Sequence, residues 1–221
     1  MAKIMTKQIT IKQIVLEVKK RLDGEGTGHD WWHIERVLKN GIFIGKAEKA
    51  DLFIVQLAAL LHDIADWKFH NGDHAKGAKI SREILSRYCV DEKIINHVCE
   101  IVLNISFKGA GVKNKIKTLE GKVVQDADRL DALGAIGIAR CFAYGGFSGR
   151  QIHNPRIRPN HHKTFAAYKN NKGTSINHFY EKLLLLKNMM NTQTGKKMAQ
   201  ERHKFMEKYL KTFFKEWGGK I

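Results

Sequence analysis

Two neighbouring residues, His62 and Asp63, close the apolar stretch DLFIVQLAALLHDIA, where the run of leucines and alanines reads as the start of a buried segment. An ionised carboxylate in such a setting is costly unless a cation or a set of donors compensates it. A metal ion meets that need. Consecutive helical residues diverge by about 100°, so a His–Asp pair converges on one ion only if other segments supply the remaining ligands. Two segments can do so: the string WWHIERV offers His33, and VVQDADRLD offers carboxylates, Asp128 among them. Taken alone, Asp128 can equally cap a helix, while Asp126 and Asp131 can be solvated or pair with Arg129. Two histidines with carboxylates suit Mn²⁺, Fe²⁺, Co²⁺ or Ni²⁺ better than Mg²⁺, with Zn²⁺ also possible.

Further groups surround this set. Asp66 lies three residues after Asp63, near the same helix face, and can orient or deprotonate an attacking water; the competing reading is a helix-end ion pair with Lys68. His29, four residues before His33, and Arg36 can share the face of His33 and bind phosphate, although an amphipathic surface helix would look the same. Lys68, Arg129 and Arg140 are candidate anion clamps, the arginines by bidentate contact. His97 reads as well as a satisfied core histidine.

The elements that must position these groups are helical. Ile11, Ile14, Val15, Val18 and Leu22 make one stripe of a first helix, ended by Gly24, Gly26 and Gly28. Asp30, Asp51, Asp73 and Asp91 are placed as N-caps of four more, carrying His33, the His62–Asp63 pair, the stripe Ile80/Ile84/Leu85 and the stripe Ile94/Ile95/Val98/Ile101/Val102. VVQDADRLDALGAIGIARCFAYGG reads as one tightly packed helix stopped by Gly145 and Gly146. INHFYEKLLLLKNMM and KKMAQERHKFMEKYLKTFFKEW read as two terminal amphipathic helices. No strand alternation of useful length is present, so the expected class is all-α, in one domain spanning 1–221: core helices over about 7–145, a long basic loop over about 147–174, and C-terminal helices over about 176–217.

Charge is the second signal. With 39 Lys and Arg against 22 Asp and Glu, the chain carries a formal +17 and must attract something anionic. Between Asp131 and Glu181 there is no carboxylate, yet Arg140, Arg150, Arg156, Arg158, Lys163, Lys169 and Lys172 fall there. The expected partner is a nucleotide or other small phosphorylated substrate; a nucleic-acid backbone is the rival, and the oligomeric state is not legible. No apolar run approaches the ~20 residues of a membrane helix. Cys89, Cys99 and Cys141 form no CxxC pair and are expected as buried or half-buried free thiols, which with the absence of a signal-like apolar block points to the cytoplasm.

The ordered set His33, His62–Asp63 and Asp128, together with GHDWWHIERV, LAALLHDIAD, QDADRLDALGAIGIARCFAYGG and HFYEKLLLLKNMMNTQTGKKMAQERHKFME, resembles the small single-domain bacterial hydrolases of the HD superfamily, of the YpgQ and YedJ type. The likeness runs along nearly the whole chain. It implies an HD-domain helical bundle that holds one divalent ion, often manganese, through His33, His62, Asp63 and Asp128, and it selects Asp128 from its neighbours. It also implies phosphohydrolase activity on nucleotides. His178, Lys182 and His203 resemble family positions. Relatives that cleave guanosine tetraphosphate read HDxxED; here Asp66 stands in the Glu position and Trp67 replaces the final Asp, which counts against that substrate. Triphosphate pyrophosphohydrolysis is the expected reaction. The alternatives are a nucleotide monophosphatase or other phosphomonoester or phosphodiester hydrolase, and, in another class, a nucleic-acid-binding protein with a vestigial site.

Overall fold

The computed structural model describes residues 6–22, 30–65, 75–107, 114–160 and 173–220. In order they form α1 (Lys7–Arg21), α2 (Trp31–Glu48), α3 (Leu52–Leu61), α4 (Ala75–Arg87), α5 (Glu92–Asn104), α6 (Leu119–Asp131), α7 (Gly134–Phe147), α8 (Ser175–Glu181), a 3₁₀ helix (Leu183–Met189) and α9 (Gln193–Trp217). No strand occurs among the described residues, and the fold is all-α. The chain divides into two compact units, one of Met1–Ser106 with Asn114–Ala127, the other of Phe107–Lys113 with Asp128–Ile221.

In the first unit the expected caps are in place. The carboxylates of Asp30, Asp51 and Asp91 accept hydrogen bonds from the backbone N–H groups of His33, Phe53 and Lys93 at 2.9, 2.8 and 2.9 Å, satisfying orphan donors of each first turn. Asp73 lies outside the described residues, as do Gly24, Gly26 and Gly28. Helix α3 is the centre: Val55, Leu57, Ala58, Ala59, Leu60 and Leu61 are fully buried, at about 1.5–3 kcal/mol per large side chain, and α1, α2 and α5 pack on it. The buried residues of α2 follow helical spacing, His33, Val37, Gly41 and Gly45 on one stripe. A side chain at Gly45 would place its Cβ 2.9 Å from Leu52 Cδ2, so the missing side chain is what lets α2 lie close along α3. That approach brings His33 alongside the C-terminal end of α3.

The second unit departs from the expected helices in two places. The single helix expected across VVQDADRLDALGAIGIARCFAYGG is broken at Ala132 and Leu133, because Leu133 is extended and Gly134 takes φ +70°, a left-handed conformation that glycine adopts without steric cost. Helix α7 then runs on through Gly145 and Gly146 to Phe147. The segment expected as one helix over INHFYEKLLLLKNMM is α8 followed by the 3₁₀ turn, divided at Lys182, whose φ of −140° is not helical. The buried residues of the 3₁₀ turn, Leu183 and Leu186, stand one three-residue repeat apart. Helix α9 packs on α7 and on the 3₁₀ turn. The described part of the basic loop, 148–160, is irregular, as expected.

Cys89 corrects an expectation: it is exposed, with φ +53°, in the turn after α4. Cys99 and Cys141 are half-buried free thiols. Asp131 also differs from the solvated alternative. It is 1% exposed, and Arg140 pairs with its carboxylate.

Candidate metal centre

The His62–Asp63 pair sits at the end of α3 rather than within it. Leu61 is the last helical residue, His62 keeps right-handed helical dihedrals, and His62 to Ala65 form turns. The turn lets the two side chains converge more than two consecutive positions of an unbroken helix would. His62 Nδ1 donates to the Ala59 carbonyl at 2.9 Å. In the neutral ring that fixes the proton on Nδ1 and leaves Nε2 with its lone pair aimed away from the backbone.

His33 Nε2 lies 3.2 Å from His62 Nε2. Asp63 Oδ2 lies 3.3 Å from His33 Nε2 and 3.6 Å from His62 Nε2. Both histidines are buried and Asp63 is half-buried. Asp128 stands on α6, whose preceding residues Leu119–Ala127 belong to the first unit.

These distances can be tested against an ion. Donors about 2.0–2.2 Å from a common cation at right angles are about 3 Å apart, and the spacings among His33, His62 and Asp63 are of that order. The donor chemistry agrees. Two imidazole nitrogens on buried rings and a carboxylate oxygen beside them are acceptors for a cation, and the tautomer of His62 is already set for ligation. The residues present fit a divalent metal.

The other expected site residues are distributed as follows. Asp66, Lys68 and His29 lie outside the described residues. Arg36 is half-buried on α2, one turn after His33. Arg129 is buried and donates to the Met189 carbonyl. Arg140 pairs with Asp131 Oδ2 at 3.0 Å and also donates to the Asp131 carbonyl at 3.3 Å. Arg156 and Arg158 are exposed. His97 is held by structure: its Nε2 is 2.9 Å from Thr118 Oγ1 and 3.8 Å from Glu120. His203 is buried with Nε2 3.3 Å from Glu207, and burial followed by the charge of Lys187 lowers its pKa. Lys182 stands over the Phe107 ring, and His178 is half-buried on α8. Phe179 stacks on Tyr209 in the core, with ring centroids 5.9 Å apart.

One residue escaped the sequence reading. Arg202 on α9 donates to the Leu130 carbonyl at 2.5 Å. Its signal was present, since it falls at helical spacing among Ala199, His203 and Met206, all buried, where a long cation needs an internal acceptor.

Residues 31–133 match the HD domain family. Bacillus subtilis YpgQ is 37% identical over 94% of this chain and 94% of its own length. The chain belongs to the HD superfamily. A solved HD-superfamily hydrolase from Bacillus thuringiensis is 43% identical, with a TM-score of 0.74 over 96% of this chain and 99% of that one. A Lactobacillus plantarum structure superposes with a TM-score of 0.86 at 36% identity, over 97% of this chain and all of the other. The structure of YpgQ in complex with ADP has a TM-score of 0.77 at 35% identity, over 96% and 97%. This HD-superfamily protein is thus a hydrolase of the phosphohydrolase class, with His33, His62 and Asp63 as candidate metal ligands.

Proposed function

We propose that this HD hydrolase cleaves nucleoside or deoxynucleoside triphosphates at the α-phosphorus, releasing pyrophosphate and a monophosphate, with one divalent ion, Mn²⁺ by preference, held by His33, His62, Asp63 and Asp128. The observation that carries the metal assignment is the convergence of His33 Nε2, His62 Nε2 and Asp63 Oδ2 within 3.2–3.6 Å. An ion held by these four residues would supply Lewis acidity at phosphorus and lower the pKa of water.

The chain's own groups do the rest. Asp66 orients the attacking water and takes its proton. His29, Arg36 and Lys68 contact the phosphates nearest the ion. Arg156 and Arg158 stabilise the charge of the departing pyrophosphate. The nucleotide class is supported by the ADP held by YpgQ, and the anhydride by the formal +17 and the carboxylate-free interval between Asp131 and Glu181. Monoester hydrolysis would ask for less positive charge around its leaving group.

The test is to load the protein with Mn²⁺, supply each nucleoside and deoxynucleoside triphosphate, and identify the phosphorus products by ³¹P NMR. Pyrophosphate with a monophosphate is expected. Orthophosphate with a diphosphate, or nucleoside from monophosphates alone, would overturn the assigned bond while leaving the phosphohydrolase class intact.

A further inference from the structure

The C-terminal end of α6 is built in an unusual way. An α-helix ends with carbonyls that lack intrahelical partners, and here the chain beyond Asp131 does not supply the glycine cap that often satisfies them. It closes two tight turns, with Ala132 N–H donating to the Arg129 carbonyl and Leu133 N–H to the Leu130 carbonyl, each at 3.1 Å, before Leu133 becomes extended. Leu130 is fully buried and Asp131 is 1% exposed, so water has little access to these groups.

Two guanidinium groups from other helices take its place. Arg202 of α9 donates to the Leu130 carbonyl at 2.5 Å. Arg140 of α7 donates to the Asp131 carbonyl at 3.3 Å and pairs with the Asp131 carboxylate at 3.0 Å. Each brings positive charge to the negative end of the helix dipole. Gly134 belongs to the same device: a Cβ there would lie 3.2 Å from both Cβ and Cγ of Arg202, so the bare glycine leaves the path along which the Arg202 stem reaches α6. Burial pulls the Arg202 pKa down while Asp131 holds it up, as expected of a guanidinium set beside a buried carboxylate.

Asp128 stands two residues before Leu130 in the same last turn. We infer that Arg202, assisted by Arg140, is a positioning residue for Asp128: it holds the final turn of α6 and, with it, the carboxylate that the proposed function assigns to the ion. The inference rests on the metal-site reading of the preceding subsection. Charge and position act in opposite directions here. If Arg202 acted only as a nearby positive charge, removing it would tighten the binding of a cation; if it holds Asp128 in place, removing it loosens that binding.

The experiment is a Mn²⁺ titration followed by isothermal calorimetry and by EPR of the bound ion, on the full chain. The wild type is expected to bind one ion. Arg202→Met is expected to bind it roughly tenfold or more weakly, the scale on which groups supporting a ligand act, with a changed EPR spectrum. Arg202→Lys, which retains a donor and the charge, should recover part of the affinity. Gly134→Ala crowds the Arg202 stem and strains the left-handed backbone there without removing charge, and should weaken binding in the same direction; wild-type binding by it decides against the inference if Arg202→Met does not fold. Wild-type affinity and spectrum in a folded Arg202→Met, or tighter binding, would overturn the inference, as would wild-type binding by Gly134→Ala where only that variant folds. A wild-type protein that takes up no divalent ion would instead sink the metal-site reading itself.

Discussion

The Ala59 carbonyl and the His62 ring are joined by a 2.9 Å hydrogen bond to Nδ1, and the other ring nitrogen therefore faces His33 Nε2, 3.2 Å away, as a base. Two basic nitrogens at that distance repel unless a proton or a cation stands between them. The carboxylate of Asp63 on the same two nitrogens argues for the cation.

Removing one ligand should therefore empty the site without unfolding the chain. Asp63 is half-buried and lies in a turn beyond the last residue of α3, so Asp63→Ala deletes little packing. The expected result is loss of stoichiometric metal by elemental analysis with an unchanged far-UV circular dichroism spectrum. Full metal content in Asp63→Ala would end the assignment.

Asp66 should act on the water rather than on the ion. Asp66→Asn keeps size and polarity but cannot take a proton. It is expected to retain metal and to lose roughly two or more orders of magnitude in kcat, the usual scale for a general base. An unaltered turnover number would make Asp66 a structural residue.

Local chemistry was legible in the sequence, and tertiary chemistry was not. Asp30, Asp51 and Asp91 cap helices through bonds to residues two or three positions away, so short strings contain the whole argument. Membership of the HD superfamily was readable from the ordered set His33 to Asp128 and the strings around it. The break at Ala132 and Leu133 was not, because small and apolar residues continue across it and a glycine inside a helical pattern costs only about 1 kcal/mol. Asp131 pairs with Arg140, nine residues on and in another helix, and Arg129 finds the Met189 carbonyl sixty residues away. No periodicity encodes those contacts. His97 was ambiguous for the same reason, since Thr118 is remote in sequence.

The three thiols should separate by reactivity. Burial pushes Cys141 up to about 12, with Arg150 and Lys182 offsetting only part of it, and burial also raises Cys99, whereas Cys89 is exposed. A thiolate-selective reagent at pH 8 should label Cys89 first, with Cys141 unreacted on the same timescale; peptide mapping identifies the order. Cys141 labelled first in the folded protein would contradict the described burial.

Acid stability should report on Glu17. Burial raises its pKa, but hydrogen bonds from Arg21 and Tyr88 and the charges of Arg87 and Arg21 outweigh that and leave it lowered. A depressed carboxylate contributes stability above its unfolded value, and the contribution is lost as pH falls through the lower folded value. Glu17→Gln should therefore be less stable than wild type at neutral pH, by a modest amount given the solvent access of Arg21 and Arg87. The two proteins should converge below about pH 4. Urea denaturation across pH 2.5–7 measures the difference; a gap that widens in acid would have the wrong sign.

The last expectation concerns chain length in the substrate. Arg156 and Arg158 are exposed, while their segment is held through backbone groups: Ile157 N–H donates to the Asn154 carbonyl, and the Asn177 side chain donates to the Ile157 carbonyl, both at 3.0 Å. Replacing both arginines with Ser therefore removes two charges and few structural contacts, and exposed substitutions of that kind change stability by less than about 0.5 kcal/mol. If these side chains bind the outer phosphates, the double variant should raise KM for a triphosphate by roughly tenfold, the equivalent of one charged hydrogen bond, and leave a monophosphate's affinity nearly unchanged. A lower kcat for the triphosphate would further place them on the departing pyrophosphate. Equal effects on triphosphate and monophosphate would mean that this part of the loop attracts anions without reading their length.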